Sequence, residues 1–206
     1  MHYDTRLKDH GLPHDPFTAL VVPRPIGWIS SLDRQGGLNL APYSFFNAVS
    51  GRPPFVIFAS NNRKHSQANV EETGEFTVSI ASSAQRVEMN ASSAPVPAGV
   101  DEAALLGIDM APSRLVRPPR VAKSPAALEC AYVKSVALTG RDGAVHPTTI
   151  VIGEVLGVYI DDRVIVDGRV DFLRLQPLSR LGYRDYGVLT EVFEMPRPTA
   201  EEIMPG

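Results

Sequence analysis

One long stretch with apolar residues at every second position constrains this chain most. In Leu128 to Leu138, the residues Leu128, Cys130, Tyr132, Val136 and Leu138 share one face, and only Lys134 interrupts them. Side chains along a strand point alternately to opposite faces, so this period marks a strand with one buried side. Thr149 to Ile160 is a second strand, and Gly140 to Pro147 turns the chain between the two. Gly153 and Gly157 inside the second strand predict a bend or bulge, as the corners of a barrel require.

The remainder is also strand-like. Thr18 to Val22 is a short apolar run closed by Pro23. Ile26 to Leu32 runs into the turn Asp33-Arg34-Gln35-Gly36-Gly37, and the chain returns through Leu38 to Ser50. After Pro53 and Pro54, the continuous apolar run Phe55 to Ser60 predicts a strand covered on both faces. Ser66 to Thr73 predicts a helix with Ser66 as N-cap and Gly74 at its C-terminal end. Glu75 to Ile80 alternates as a strand. Gln85 to Leu106 predicts two short helices, broken at Pro95, Pro97 and Gly99, and the proline-rich Met110 to Pro125 predicts an extended loop. Arg163 to Val166 and Gly187 to Leu189 add edge strands. Many antiparallel strands with few helices between them favour a barrel, which removes exposed edges, over a doubly wound sheet.

The 206 residues suit one domain over 1–206, with an N-terminal arm at 1–16 and a proline-rich, acidic tail at 195–206. At 44% hydrophobic and 21% charged residues, the composition is that of a globular chain. A net charge of −3 gives no electrostatic reason to expect nucleic acid or an anionic membrane as partner. No apolar run reaches membrane-spanning length. The polar N-terminus lacks the order of a signal peptide, and Cys130, the one cysteine, excludes an internal disulfide, so a cytoplasmic location is expected. His2, His10 and His14 follow no metal-ligand spacing, and no metal is expected. The chain carries no G-x-G-x-x-G fingerprint, phosphate loop, nucleophile elbow or zinc helix. Any demanding chemistry is therefore expected to come from a bound cofactor.

Three segments carry polar groups suited to such a ligand. In Arg24-Pro25-Ile26-Gly27-Trp28-Ile29-Ser30-Ser31, the hydroxyls can donate to phosphate or sugar oxygens, and Gly27 permits close approach. The same residues also suit an ordinary strand. Asn39 to Ser50 mixes aromatic and small polar residues. Flat faces there fit a fused ring and backbone amides fit its polar edge, while Tyr43, Phe45 and Phe46 suit core packing equally well. Ser60-Asn61-Asn62-Arg63-Lys64-His65-Ser66 puts two cations and two amides just before a helix. A helix start offers unpaired N–H groups and partial positive charge, a natural phosphate site, although a solvated loop has the same composition.

Arg24 to Ser60, "RPIGWISSLDRQGGLNLAPYSFFNAVSGRPPFVIFAS", resembles the signature of the flavin reductase-like FMN-binding split-barrel family. So do Glu71 to Ser82, Val151 to Asp171 and Leu178 to Tyr186. The resemblance implies a mainly β fold, an FMN-binding split β-barrel of antiparallel, Greek-key-like strands with a few short helices. It implies a homodimer that binds FMN, or FAD, at its interface. The ring edge would lie along Ala41, Pro42, Tyr43, Ser44, Phe45 and Asn47. The ribityl chain and phosphate would pass Trp28, Ile29, Ser30, Ser31, Ser60 and Asn61, with Lys64, Ser66 and Arg63 as phosphate ligands. Arg180 and Tyr186 would reach the partner subunit's flavin. Where many members read Lys-Asp-Thr, this chain reads Lys64-His65-Ser66, keeping the hydroxyl and losing an acid. The implied activity is hydride transfer from NAD(P)H to flavin N5, in some members for a partner oxygenase. The alternatives are an FMN-holding oxidoreductase for a dedicated organic substrate, a non-enzymatic flavin carrier, and a related haem-binding barrel with His146 as axial ligand.

Overall fold

The computed structural model describes residues 1–204. The last two positions of the expected 195–206 tail lie outside the described residues. In chain order the elements are α1 (Phe17–Leu20), β1 (Arg24–Pro25), β2 (Gly27–Leu32), β3 (Leu38–Tyr43), β4 (Phe46–Gly51), β5 (Pro54–Asn61), α2 (His65–Thr73) and β6 (Glu75–Ile80). There follow α3 (Arg86–Ala91), α4 (Glu102–Leu106), β7 (Met110–Ala111), β8 (Arg120–Val121), β9 (Ala126–Thr139) and β10 (Val145–Ile160). The chain ends with β11 (Ile165–Val166), β12 (Arg169–Val170), α5 (Phe172–Leu175), β13 (Leu178–Arg180), β14 (Tyr186–Val188) and α6 (Ala200–Ile203).

Seven strands form one antiparallel sheet in the order β3-β2-β6-β9-β10-β5-β4. Its two edge strands, β3 and β4, are consecutive in the chain and joined only by Ser44 and Phe45. Opposite edges linked by two residues force the sheet to curl on itself, because each residue spans at most about 3.6 Å. The result is a split barrel. Inside it, Ile29, Tyr43, Phe46, Phe58, Phe76 and Val151 pack into one core.

The β9–β10 hairpin is the longest in the fold, and its register shifts at Ile152/Gly153 and Val155/Gly157. The expected bulges are therefore present, and packing explains one of the glycines. A Cβ on Gly153 would lie 2.4 Å from the buried Phe76 ring. Bulge and ring occupy the same corner of the barrel, so any side chain there displaces a core aromatic.

A second core lies outside the barrel wall. Trp28 and Leu40, on the outer faces of β2 and β3, pack with Met89 of α3, Ala103 of α4 and Val121 of β8. It is thus β2 that is covered on both faces. The continuous run Phe55 to Ser60 is not: Val56, Phe58 and Ser60 are buried, while Phe55, Ile57 and Ala59 between them are only half-buried. An apolar run signals two apolar faces, but one of these faces lines a groove. Two further expectations are corrected. The run Thr18 to Val22 forms no strand, since its first residues belong to the helical turn Phe17–Leu20, and the tail contains the short helix α6.

Candidate functional site

β5 leaves the barrel beside the split and passes through Asn62 (φ 62°) and Arg63 (φ 37°), both left-handed, before α2 begins. Two successive non-glycine residues in this region cost about 1–2 kcal/mol each, an expense typical of functional loops. Lys64 occupies the N-cap position of α2, and no side chain caps that end. The first amides of α2 therefore have no side-chain partner within the chain. The expected N-cap, Ser66, is instead the second residue of the helix. Gly74 ends α2 in the left-handed conformation, as the sequence predicts.

A cavity of about 430 Å³ opens at this helix start. Its walls come from Asn39, Ala41, Pro42 and Tyr43 of β3, from 62–66, from the loop 92–96, and from Glu102 of α4. A chain of buried hydrogen bonds makes its floor. Ser66 Oγ donates to Asn39 Oδ1 (2.7 Å), Asn39 Nδ2 donates to Glu102 Oε1 (2.8 Å), and Leu40 N donates to Glu102 Oε2 (2.8 Å). Both oxygens of the only acid in the wall are thus engaged. The Tyr43 ring packs at a tilt against Phe58, 4.9 Å between centroids, and its buried hydroxyl, beside Ser60 and Ser66, makes no well-formed hydrogen bond. Burial pushes the Tyr43 phenol above the ordinary tyrosine range.

The two cations of this segment are not equivalent. Arg63 Nε is paired with Glu71 Oε2 at 3.0 Å. Burial alone would raise the Glu71 carboxyl, but hydrogen bonds from Gln67, Ser135 and Arg63 hold it below the usual range. Arg63 is therefore tied to α2 and, through Ser135, to β9. Lys64 makes no ion pair among the described residues and stands exposed at the cavity.

The expected ligand residues fall into separate places. Ala41, Pro42, Tyr43, Arg63, Lys64 and Ser66 share the α2 cavity. Ser44, Phe45, Asn47 and Asn61 line a different, apolar groove of about 900 Å³ along the split, with Leu20, Ile57, Leu138 and Ile150. His146 also lines that groove, and its Nδ1 accepts from Thr148 N at 3.2 Å. Arg24 lies in its wall, buried, donating to the carbonyls of Thr18, Val21 and Leu181. Burial, with Arg180 nearby, pulls its guanidinium below the ordinary arginine value. Arg180 and Tyr186 line a third cavity beside α3.

Trp28, Ile29, Ser30, Ser31 and Ser60 are fully buried, and none of their side chains lines one of these cavities. Trp28 Nε1 donates to Ser92 Oγ (2.9 Å), Ser30 Oγ to the Pro119 carbonyl, Asn69 Nδ2 to Ser31 Oγ (3.3 Å) and Lys64 N to Ser60 Oγ (3.4 Å). Cover on both faces explains this for β2: the barrel core takes Ile29 and the outer core takes Trp28, so no side chain is free to turn outward. Gly27 does allow a close approach, but of Phe46 rather than of a ligand, since a Cβ there would lie 2.7 Å from that ring. Glu102 and the loop 92–96 were not anticipated. Glu102 follows Asp101 in a helix-leaning stretch and gives no local sign of a partner about sixty residues earlier in the chain.

Comparisons with known proteins agree with this architecture. Residues 19–173 match the family described as flavin reductase like domain. An uncharacterized protein of Deinococcus radiodurans is 40% identical over 211 residues, covering 96% of this chain and 90% of its own. Among solved structures, nitrilotriacetate monooxygenase component B from Bacillus cereus is similar with a TM-score of 0.86 and 27% identity, over 95% of this chain and 98% of that one. The 2-nitrobenzoate 2-nitroreductase NbaA of Pseudomonas fluorescens reaches a TM-score of 0.84 at 27% identity, over 100% of this chain and 99% of that one. The chain belongs to the flavin reductase-like family, and its function is that of a flavin-related oxidoreductase. Among the described residues, no helix is long and apolar enough to cross a membrane.

The floor of the α2 cavity yields a test. Glu102→Gln keeps the shape but replaces one acceptor with a donor aimed at the Leu40 amide or the Asn39 side chain. It is expected to destabilise the fold by about 1–3 kcal/mol. Urea unfolding that shows an unchanged midpoint contradicts the assigned network.

Proposed function

We propose that this chain binds FMN with the phosphate in the α2 cavity and the ring towards the split, and that it uses NAD(P)H to reduce the flavin. One observation carries the reading. At the start of α2, an unpaired lysine and uncapped helix amides face a cavity whose only acid is already satisfied. That donor set fits a phosphate dianion. The orphaned Tyr43 hydroxyl adds a polar atom without a partner at the same place.

Bound FMN would supply a two-electron hydride acceptor. The residues do the rest. Lys64 and the amides of His65 and Ser66 hold the anionic tail, with Arg63 fixed alongside by Glu71. Asn39 and Glu102 keep Ser66 and the β3 backbone in place beneath it. Ala41, Pro42 and Ser44 present the strand edge along which a ring can lie, and Phe45 offers an exposed flat face. Hydride transfer needs placement and exclusion of water more than a side-chain acid or base.

A second copy of the chain supplies the cover for the split. Phe45 is 55% exposed, Leu20 73% and Leu138 38%, and they line one apolar groove. Such a patch is costly to leave in water. Similarity to nitrilotriacetate monooxygenase component B supports delivery of reduced flavin to an oxygenase partner. Similarity to the nitroreductase NbaA favours a second reading, a retained FMN that acts on a dedicated organic substrate. The two differ in whether reduced flavin passes a filtration membrane.

Lys64→Ala is expected to weaken FMN by about tenfold or more while leaving riboflavin, which lacks the phosphate, within about twofold. Fluorescence titration with both ligands reads this, and equal losses remove Lys64 from the phosphate site. Sedimentation equilibrium at micromolar concentration is expected to give twice the chain mass. A monomer at that concentration contradicts the homodimer.

A further inference from the structure

The third cavity, of about 620 Å³, lies beside α3. Its floor is apolar, from the buried Met89 and Leu178. Arg86, Arg180 and Arg184 stand around it, and no Asp or Glu belongs to its wall. None of the three makes an ion pair among the described residues. Three like charges around one cavity repel each other, and an anion relieves that repulsion.

The site is also built. Arg180 Nη1 donates to Tyr186 Oη at 2.7 Å, and Nη2 donates to the Tyr183 carbonyl. The Arg180 guanidinium lies 4.7 Å from the centre of the Tyr186 ring, and Tyr186 Oη donates to Asn90 Oδ1 at 3.3 Å. Arg86 Nη1 donates to the Ser83 carbonyl at 3.0 Å. These contacts use a minority of the donors that three guanidinium groups carry, and the planar fork of arginine suits phosphate oxygens. Tyr186 and the apolar floor suit a flat ring. A single carboxylate would leave most of this positive charge unmet, whereas the phosphate or diphosphate of a nucleotide, whose base supplies a flat ring, matches it.

This cavity and the α2 cavity share a stretch of chain. Arg86, Val87, Met89, Asn90 and Ala91 line the one, and 92–96 line the other. Trp28 Nε1 pins Ser92 between them at 2.9 Å. We propose that the arginine groove is a second anion site, distinct from the α2 cavity, that takes the phosphate of an aromatic nucleotide. Resting on the function proposed above, its occupant is the adenosine diphosphate end of the nicotinamide donor.

The probe is ADP, titrated calorimetrically into the full chain with and without FMN present. ADP is expected to bind without displacing FMN, and more weakly as salt rises. Arg86 and Arg184 are exposed, so the double variant Arg86→Ala/Arg184→Ala is expected to keep the fold by circular dichroism. It should lose about tenfold or more in ADP affinity, with FMN affinity unchanged. If the alanine pair disturbs α3, the Arg86→Gln/Arg184→Gln pair carries the same test. The proposal is overturned if ADP shows no binding at millimolar supply, if the variants bind ADP as well as the parent, or if FMN displaces ADP one for one, which would give the groove to the flavin phosphate. A chain that binds ADP in this arginine-dependent way but takes up no FMN keeps the groove and sinks the flavin reading instead.

Discussion

Everything in this molecule depends on the two-residue link between opposite edges of one sheet. β3 and β4 lie at the two ends of the strand order, yet only Ser44 and Phe45 separate them. The sheet must close to satisfy that link, and it closes imperfectly, leaving a split. Phe46 of β4 then lies over Gly27 of β2, and Tyr43 at the end of β3 packs at a tilt against Phe58 of β5. The strands that flank the split also feed the loop into α2. Closure therefore puts a cationic helix start and an apolar groove beside the same seam.

The consequence is a division of labour among polar residues. Buried hydroxyls and amides near the split are mostly engaged with one another, as in the Ser66–Asn39–Glu102 chain and the Trp28–Ser92 pair. Satisfied buried networks rigidify their surroundings, and partly satisfied ones are costly. Arg63 belongs to that framework through Glu71. Lys64, one residue on, does not. The contrast separates the group that shapes the site from the group available to a ligand, although both are cations in the same short segment.

Much of the fold was legible in the sequence. The β9 and β10 strands, the bulges at Gly153 and Gly157, the hairpin turn after Leu32 and the two short helices before the proline-rich loop appear where the pattern puts them, but Val145 to Pro147, expected in the turn, belong to β10, and Val136 and Leu138 on the expected buried face of β9 are exposed. Periodicity and turn residues are local signals, and these elements are local. Which strand is covered on both faces was not legible. β5 has the continuous apolar run, but β2 is the doubly buried strand, because α3, α4 and β8 return to cover Trp28 and Leu40. The candidate site divides in the same way. The segment from Arg63 to Ser66 was marked by charge and position. The family signature at Trp28 to Ser31 was recognisable too, yet those side chains fill the wall between two cores. Glu102 depends on a contact made only after folding, and nothing around it in the chain announces that contact.

The most direct measurement is anaerobic: the purified chain is loaded with FMN, and NADH or NADPH is added while the flavin absorbance is followed. The account predicts that the yellow band bleaches with at least one of the two donors at a rate well above that of free FMN. A chain that stays colourless through FMN loading, or a yellow one whose band neither donor changes beyond the free-flavin rate, contradicts it.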